Sequence, residues 1–254
     1  MIDTHTHLYS SAYGEGYEEA IERSVASGVT HLILPGIDLQ SIDSIRECHN
    51  NFPRNVSMAM GLHPTDIGED WEKVLEVMGK ELLTGDYVAV GEIGLDLYWE
   101  KENLPLQREV FRRQLKRADE MGLPAILHSR DAFDETIEVI SEIEPKVPVI
   151  FHSFTGSSED VLKIRKVCDP YFGINGVVTY KNAQYLRDAL PIIGIERLIL
   201  ETDSPYLTPV PHRGKKNESS YLCHIRDKIS EVLASSPEEI ETITDANAKK
   251  IFGI

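Results

Sequence analysis

Short apolar runs alternate with longer amphipathic segments along the chain. The runs are rich in Val, Ile and Leu, as in strands buried on both faces, and the longer segments repeat apolar residues at helical spacing. The pattern predicts strands at Met1–His5, Val29–Pro35, Val56–His63, Tyr87–Glu92, Pro124–His128, Val147–His152, Tyr171–Asn175 and Arg197–Asp203. It predicts helices at Tyr17–Ser27, Leu39–Asn50, Trp71–Leu83, Leu106–Met121, Ala132–Ile143, Ser158–Cys168 and Asn182–Ile193, with a final helix that starts at Ser236 and ends at Phe252.

About eight alternating strand and helix units predict an α/β fold with a parallel sheet. A chain of 254 residues has the length of one TIM-like (β/α)8 barrel, so we expect a single barrel domain over residues 1–254. An open doubly wound sheet is the alternative that the pattern alone leaves. The long irregular segment Ser204–Ser220 follows the last predicted strand, and its length is typical of a functional loop.

Composition narrows the class of protein. Hydrophobic residues make up 41% and charged residues 27% of the chain, values that exclude a disordered or fibrous protein. No apolar run reaches the ~20 residues of a membrane span, and the first residues lack the features of a targeting peptide, so we expect them to belong to the fold. Cys48, Cys168 and Cys223 are odd in number and far apart, which argues against disulfides and favours a cytoplasmic location. No segment indicates an obligate protein partner.

The chain is strongly acidic. It has 42 Asp and Glu residues against 26 Lys and Arg, a formal net charge of -16. Such a charge repels nucleic acid at long range. A polyanionic substrate would therefore require bound divalent cations or a local group of basic residues at the site.

Ionisable residues lie at the ends of most predicted strands. The strand-end residues are His5, His7, His63, Glu92, His128, His152 and Asp203. Because the carboxyl ends of barrel strands meet at one mouth, these side chains are expected to lie close together. A single His at a strand end is usually structural, but this number of them together with carboxylates is difficult to explain in that way.

Spacing adds a second argument. Residues two apart on a strand share a face, so His5 and His7 point the same way, with Asp3 alongside. Glu201 and Asp203 share a face by the same rule, and Glu201 is either a buried polar residue or, as we favour, a residue that orients a ligating His. His31, His49 and His224 lie away from strand ends and are expected to be structural.

The predicted donor set suits metal ions. Four imidazoles and two carboxylates exceed the needs of one tetrahedral ion but fit two ions that share a bridging ligand, for which Glu92 is the natural candidate. The donors are nitrogen and oxygen without thiolate, a set that accommodates Mg, Zn or Mn without choosing among them. The chain is thus predicted to be a hydrolase with two divalent metal ions.

These residues occur within an ordered series of motifs that resembles the TatD family of metal-dependent deoxyribonucleases over nearly the full chain. The motifs are DTHTHL (Asp3–Leu8), GLHPTD (Gly61–Asp66), VGEIGLD (Val90–Asp96), HSRDA (His128–Ala132), HSFTGS (His152–Ser157), ETDSPYL (Glu201–Leu207), PHRGKKNE (Pro211–Glu218) and NAKKIF (Asn247–Phe252). The resemblance implies an amidohydrolase-like barrel and a magnesium-dependent nuclease, with cleavage from the 3′ end in some members.

The resemblance also implies roles for single residues. His5, His7 and Asp203 would hold one metal, His128 and His152 the other, and Glu92 would bridge them, while His63 would contact the substrate phosphate or its leaving group. Three positions depart from the family pattern. Ser153 replaces a frequent Cys, Thr65 a frequent His, and Ser219 the Pro of an NEP motif. None of these removes a predicted metal ligand.

The expected reaction is hydrolysis of a phosphodiester in single-stranded or end-exposed DNA by metal-activated water. Asp203 is the expected proton acceptor, and Glu92 and His63 complete the catalytic set. Arg130, together with Arg213, Lys215 and Lys216 of the long loop, is expected to bind substrate phosphates, although such a loop can also be merely solvated.

Aromatic and basic residues outside the donor set carry further expectations. Tyr98, Trp99 and Tyr206 could stack on bases or could cover the core. The basic residues of the helix at Leu106–Met121 are expected to form ion pairs on its outer face.

Two other functions are compatible with parts of the pattern. A metal-dependent deacylase or amidohydrolase, for example one that cleaves an aminoacyl-tRNA ester, would use the same ligands on a carbonyl group. A non-catalytic binding protein on an old enzyme fold would be expected to lack ligands, and none is missing here.

Overall fold

A computed structural model describes residues 1–99 and 101–254 of the chain. Its strands are β1 (Ile2–Asp3), β2 (His31–Pro35), β3 (Val56–Met60), β4 (Tyr87–Asp96), β5 (Ala125–Arg130), β6 (Val149–Phe151), β7 (Tyr171–Ile174) and β8 (Leu198–Leu200). Its α-helices are α1 (Tyr17–Ala26), α2 (Ser41–Asn51), α3 (Trp71–Leu82), α4 (Leu104–Met121), α5 (Phe133–Ile143), α6 (Ser158–Ile164), α7 (Gln184–Ile193), α8 (Leu222–Leu233) and α9 (Pro237–Phe252). Short 3₁₀ helices lie at Gly14–Gly16, Pro64–Asp66, Lys101–Asn103, Gly176–Thr179, Ile195–Arg197 and Ser219–Tyr221.

The strands form one eight-stranded sheet in sequence order, and each adjacent pair is parallel. The chain beyond β1 meets the chain beyond β8. Thr6 bridges Ser204 in parallel, the Thr4 N–H donates to Leu200 O (3.0 Å), and the Asp203 N–H donates to the His5 carbonyl (2.9 Å). These bonds close the sheet, which confirms the predicted α/β barrel and excludes the open doubly wound alternative.

Asp3 contributes to the same closure. Its Oδ1 accepts the Thr202 N–H (2.9 Å) and its Oδ2 accepts the Thr202 hydroxyl (2.6 Å), both in a buried setting. Burial raises the pKa of Asp3 to about 6 against the opposing hydrogen bonds from Ser219 and Thr202. Asp3 was expected to accompany His5 and His7, but its carboxylate instead joins the first and last strand segments.

Apolar side chains pack on both sides of the sheet. One cluster fills the space between the strands and the surrounding helices. The second lies inside the barrel and takes one residue from each strand, followed by three residues of α9: Ile2, Ile33, Ala59, Ala89, Ile126, Ile150, Tyr171, Ile199, Ala248, Ile251 and Phe252. Helix α9 lies beside the amino ends of β1 and β8, where Asp245 and Asn247 contact Ile2 and Ile195, and closes that end of the barrel with apolar side chains. The carboxyl end of the strands is left for polar side chains.

Helix boundaries follow local capping chemistry. The Ser157 side chain and Asp160 form a capping box at the start of α6, and Ser236 with Pro237 starts α9. Gly122, with a left-handed φ of 67°, ends α4. Several predicted limits were wrong: α6 ends at Ile164 rather than Cys168, and β4 continues past Glu92 to Asp96. Strands β3 and β8 end at Met60 and Leu200, three residues before their predicted limits.

The outer face of α4 carries the predicted ion pairs. Arg108 pairs with Glu138, and Arg112 Nε lies 2.6 Å from Glu142 Oε2, both on α5. Exposed pairs of this kind contribute roughly 0–1 kcal/mol each. Among the helices of the described residues, none is both long and apolar enough to cross a membrane.

Candidate metal centre

Side chains from widely separated parts of the chain meet at the carboxyl end of the barrel. They lie within β4 and β5 and just beyond the ends of β1, β6 and β8. We call them the six-residue cluster: His5, His7, Glu92, His128, His152 and Asp203. His5 is fully buried and Glu92 is 3% exposed, so the cluster is largely shielded from solvent.

Glu92 lies at the centre of the cluster, and its two carboxylate oxygens face different imidazole pairs. Oε1 is 2.7 Å from His152 Nε2 and 2.8 Å from His128 Nδ1. Oε2 is 3.3 Å from His5 Nε2 and 3.7 Å from His7 Nε2. Each oxygen of this one carboxylate therefore faces its own pair of imidazole nitrogens.

Asp203 lies on the side of the first imidazole pair. Its Oδ1 is 3.6 Å from His7 Nε2 and 3.9 Å from His5 Nε2. Its backbone has a φ of 55°, a left-handed conformation that costs roughly 1–3 kcal/mol in a non-glycine residue. The hydrogen bonds that close the barrel around it maintain this conformation and aim the carboxylate at the cluster.

Glu201 lies behind His152 as seen from Glu92. Its Oε1 accepts the Ser153 N–H and is 3.8 Å from His152 Nδ1, longer than a hydrogen bond. Its Oε2 and His152 Nδ1 are both buried and have no hydrogen-bond partner in the described part of the chain. Burial and repulsion from Asp203 raise the pKa of Glu201 well above its usual range.

Two glycines place Glu92 within β4. Val90 pairs with Ala125 and Ile93 with Leu127, so two residues of β4 oppose one of β5, as in a β-bulge. A Cβ at Gly91 would lie 2.5 Å from Ile126 Cβ. Gly94 has a φ of 141°, and a Cβ there would lie 2.0 Å from the His128 carbonyl oxygen. The close approach of β4 to β5 that sets Glu92 beside His128 therefore requires glycine at both positions.

Tyr9 fixes the protonation of His7. The Tyr9 hydroxyl donates to Pro35 O (2.6 Å), so its oxygen must accept from His7 Nδ1, which lies 2.9 Å away. The proton of the neutral His7 ring is then on Nδ1 and the lone pair is on Nε2. That lone pair faces Glu92 and Asp203, as a metal ligand requires.

Asp96 fixes the tautomer of His128, which carries its proton on Nε2, whereas His7 carries it on Nδ1. His128 Nε2 lies 3.0 Å from Asp96 Oδ2, which leaves His128 Nδ1 facing Glu92. Asp96 is 1% exposed, and its Oδ1 accepts the N–H groups of Tyr98 (2.9 Å) and Trp99 (2.8 Å). Burial opposes ionisation of Asp96, but the hydrogen bonds from His128 and Trp99 lower its pKa.

The sequence did not single out Asp96. The available indication was an acidic residue at the true end of β4, which was hidden because the strand was predicted to end at Glu92.

His63 lies at the edge of the cluster, just beyond β3. Its Nε2 is 3.5 Å from Glu92 Oε1, and its Nδ1 is 2.7 Å from the Thr65 hydroxyl. Burial disfavours its charged form, but the carboxylates of Glu92 and Asp66 outweigh this and raise the pKa of His63 to about 9. Thr65, which replaces a frequent family His, thus contacts His63 directly.

The electrostatics of the cluster favour the binding of cations. Burial lowers the pKa of His5 well below its usual value and that of His7 to about 4, so both imidazoles are neutral and offer lone pairs. Burial and the charge of Glu92 raise the pKa of Asp203 well above its usual range. Burial acts in the same direction on Glu92, but the neighbouring imidazoles, His152 and His63 foremost, hold its pKa well below the usual range.

The donor set fits divalent cations. His5 Nε2 and His7 Nε2 are only 3.2 Å apart, and a cation between them would satisfy both lone pairs and relieve the repulsion between carboxylates. Among the residues that the structure describes, three overlapping groups could hold an ion: His5, His7 and Glu92; His63, Glu92 and His128; and His5, His152 and Glu201. All donors are nitrogen or oxygen, which suits Mg, Mn or Zn.

Arg130 and three aromatic residues lie near this cluster. Arg130 ends β5, and its guanidinium carbon is 4.1 Å from the Tyr98 ring centroid. Tyr98, Trp99 and Tyr206 are 50%, 65% and 60% exposed, so the alternative in which they cover the core was wrong. Tyr206 lies on the other side of the cluster, with its ring centroid 6.4 Å from that of His7.

The long loop places its basic residues differently from Arg130. Arg213 lies over the Tyr180 ring (3.8 Å), and Lys216 lies over the Tyr13 ring (4.5 Å) and donates to Ala12 O (2.9 Å). Lys215 is exposed. Within residues 1–99 and 101–254, no hydrogen bond or ion pair links these three side chains to the six-residue cluster.

The remaining histidines have structural partners, as predicted. His31 Nε2 is 2.8 Å from Ser57 Oγ, and His49 Nδ1 donates to Val56 O (2.7 Å). His224 Nε2 is 3.0 Å from His212 Nε2.

Comparisons with known proteins agree with this geometry. The family model described as TatD related DNase matches residues 2–253. An uncharacterized metal-dependent hydrolase, YabD, of Bacillus subtilis (strain 168) is 38% identical, with 100% of this chain and 99% of the relative covered. A protein of Citrobacter rodentium named 3′-5′ ssDNA/RNA exonuclease TatD is 32% identical, with 100% and 98% covered. The crystal structure of YJJV, a TatD homologue from Escherichia coli K12, superposes with a TM-score of 0.93 at 26% identity, with 100% and 98% covered.

Fold, ordered motifs and relatives thus agree over almost the whole chain. The chain belongs to the TatD family of metal-dependent hydrolases.

Proposed function

We propose that this chain is a deoxyribonuclease that uses two divalent cations to hydrolyse phosphodiesters in single-stranded or end-exposed DNA. The observation that carries the proposal is the position of Glu92, whose oxygens face His128 and His152 on one side and His5 and His7 on the other. The name of the Citrobacter rodentium relative supports a nucleic-acid substrate.

In this proposal each half of the cluster holds one cation. His5, His7 and Asp203 would hold the first, His128 and His152 would hold the second, and Glu92 would be shared by both. Tyr9 and Asp96 keep His7 and His128 in the tautomers that such binding needs. The cations would supply Lewis-acid activation of water and neutralise charge on the phosphoryl group.

Two side chains are placed to move protons. Asp203 is 14% exposed, which makes it accessible from the mouth, and it can accept the proton of the attacking water. His63 lies at the opposite edge of Glu92, with its Nδ1 beside Thr65, and can donate a proton to the leaving oxygen as the P–O bond breaks. Hydrolysis then adds one water across the phosphodiester, and both proton transfers are accounted for.

Substrate binding must overcome a net charge of -16. Arg130 at the end of β5 is the basic side chain nearest to the cluster in sequence and forms no ion pair with the described residues. Arg213 and Lys216 lie on tyrosine rings at the rim, so we assign them, with Lys215, to phosphates farther from the cleaved bond.

The test is a panel of substrates given to metal-depleted protein with Mg²⁺, Mn²⁺ or Zn²⁺ restored in turn. The panel contains single-stranded DNA, duplex DNA and RNA, each labelled at one end, and an aminoacyl ester. We expect nucleotide release from single-stranded DNA that requires a cation and falls by more than about a hundredfold in Glu92→Gln. Ester cleavage without nucleotide release would instead identify a deacylase.

A further inference from the structure

Exposed aromatic side chains concentrate around the metal centre. In the described part of the chain, four aromatic residues are prominently exposed: Tyr98, Trp99, Tyr206 and Tyr185. Tyr185 lies on α7, whereas the other three follow β4 or β8 at the carboxyl end of the barrel. Exposed apolar surface grouped beside a polar site is typical of ligand binding, while isolated exposed residues are not.

Tyr98, Trp99 and Arg130 form one surface, which we call the aromatic–arginine platform. The two rings meet edge to face, with centroids 4.7 Å apart at 87°. The Arg130 guanidinium carbon lies 4.1 Å from the Tyr98 centroid and 5.7 Å from that of Trp99. Among the residues that the structure describes, no carboxylate pairs with Arg130, so its N–H groups are available to an anion.

The platform is attached to the metal centre through Asp96. The N–H groups of Tyr98 and Trp99 both donate to Asp96 Oδ1, and the other oxygen of the same carboxylate accepts from His128. The Leu97 N–H donates to Arg130 O (2.9 Å), which joins the ends of β4 and β5. These bonds fix the platform next to His128.

We propose that the aromatic–arginine platform stacks on a nucleobase of the strand whose phosphodiester lies at the metal centre, with Arg130 contacting a neighbouring phosphate. This inference rests on the proposed function for the class of substrate. Ring stacking accepts every base and adds affinity without sequence specificity. A base held in a duplex is already stacked and paired, so the platform favours single strands and frayed ends.

Kinetics with and without a base test this role. Trp99→Ala is expected to raise KM for a single-stranded oligonucleotide by about tenfold or more, with a smaller effect on kcat. The same variant should leave KM unchanged for a strand whose terminal residues are abasic. Tyr185→Ala, which removes an exposed ring on α7, outside the aromatic–arginine platform, should match wild type on both. An equal loss on both substrates would mean that Trp99 supports the fold rather than a base, and the proposal would be wrong.

Fluorescence tests the platform without hydrolysis. Trp99 and Trp71 are the two tryptophans of the chain, so Trp71→Phe leaves Trp99 as the only source of tryptophan emission. Metal-loaded Trp71→Phe protein would be titrated with a phosphorothioate oligonucleotide and with its abasic counterpart. We expect the first to quench Trp99 and the second to leave its emission largely unchanged.

The two proposals fail separately in this experiment. Quenching in a protein that hydrolyses no nucleic acid would support the platform and overturn the proposed function. Unchanged Trp99 emission in a protein that does hydrolyse single strands would overturn the platform alone.

Discussion

Asp96→Asn is the substitution whose consequence follows most directly from the site geometry. Asn has nearly the same shape and can still accept the N–H groups of Tyr98 and Trp99 through its oxygen. It then presents an NH₂ group, a donor, to His128 Nε2. His128 must accept at Nε2 and carry its proton on Nδ1, so the lone pair that faces Glu92 is lost.

The changed tautomer of His128 affects the folding of metal-free protein and the binding of metal differently. In metal-free protein, His128 can change tautomer and accept from the introduced amide, so we expect a loss of only about 1 kcal/mol of folding stability. Metal binding must reverse the tautomer and break that hydrogen bond. Loss of an outer partner of a metal-binding His costs about 10- to 100-fold in affinity, or about 1.4–2.8 kcal/mol.

Calorimetric titration of metal-depleted protein with Mn²⁺ measures this affinity, and urea unfolding measures stability. We expect Asp96→Asn to weaken one of two binding events and to leave the other nearly unchanged. Asp131→Asn is the matched control, since Asp131 is an exposed carboxylate close to His128 in the chain and has no ion pair with the cluster in the described part of the chain. Wild-type affinity in Asp96→Asn, or an equal loss in both variants, would refute the tautomer argument.

Metal binding, backbone packing and pH provide three more tests. Mn²⁺ at 100 times its Kd should stabilise the metal-depleted protein by about 2.7 kcal/mol per ion and raise its Tm by roughly 5–10 °C in a melting scan; a Tm that Mn²⁺ does not move would contradict the metal assignment. Gly94→Ala should cost about 3 kcal/mol or more of stability in urea unfolding, because its Cβ would lie 2.0 Å from the His128 carbonyl oxygen. Gly85→Ala, also at positive φ but with no atom within 4 Å of the added Cβ, should cost only about 1 kcal/mol. Equal costs for the two variants would count against the packing argument. Burial acts to raise the pKa of Glu218, but the hydrogen bonds from Arg23 outweigh burial and lower it, so the pair stabilises the fold above the unfolded pKa of about 4.3 and this stabilisation is lost as pH falls through the lower folded pKa. Because Arg23 is 52% exposed, Glu218→Gln should cost only about 0.5–1 kcal/mol of folding stability at pH ~7 and less at pH ~3.5. A cost that does not depend on pH would exclude the ion pair as its source.

The barrel and the meeting of its polar residues could be predicted from the sequence because both depend on simple periodicities. Strand and helix units alternate regularly, and the carboxyl ends of parallel strands share one mouth. His5, His128 and His152, which are remote in sequence, therefore had to converge once the barrel closed.

Other features depend on local geometry that periodicity does not contain. The bulge at Gly91 and Glu92 lets β4 continue to Asp96, so the residue that holds His128 lies four positions beyond the predicted strand end. Asp203 was predicted at the mouth from strand alternation, but the strand itself ends at Leu200 and the backbone of Asp203 is left-handed, which the alternation does not indicate.

The contacts of the basic residues were equally inaccessible to prediction. Lys216 lies over Tyr13 and Arg213 over Tyr180, contacts that join distant segments and that no spacing rule indicates.

In the proposed function, the six-residue cluster binds a pair of divalent cations that share Glu92. Anomalous X-ray scattering from crystals soaked in Mn²⁺ tests it directly. We predict two Mn²⁺ peaks, one among His5, His7 and Asp203 and one beside His128 and His152, each within coordination distance of a Glu92 oxygen. Peaks located elsewhere, or none within the cluster at saturating Mn²⁺, would contradict the claim.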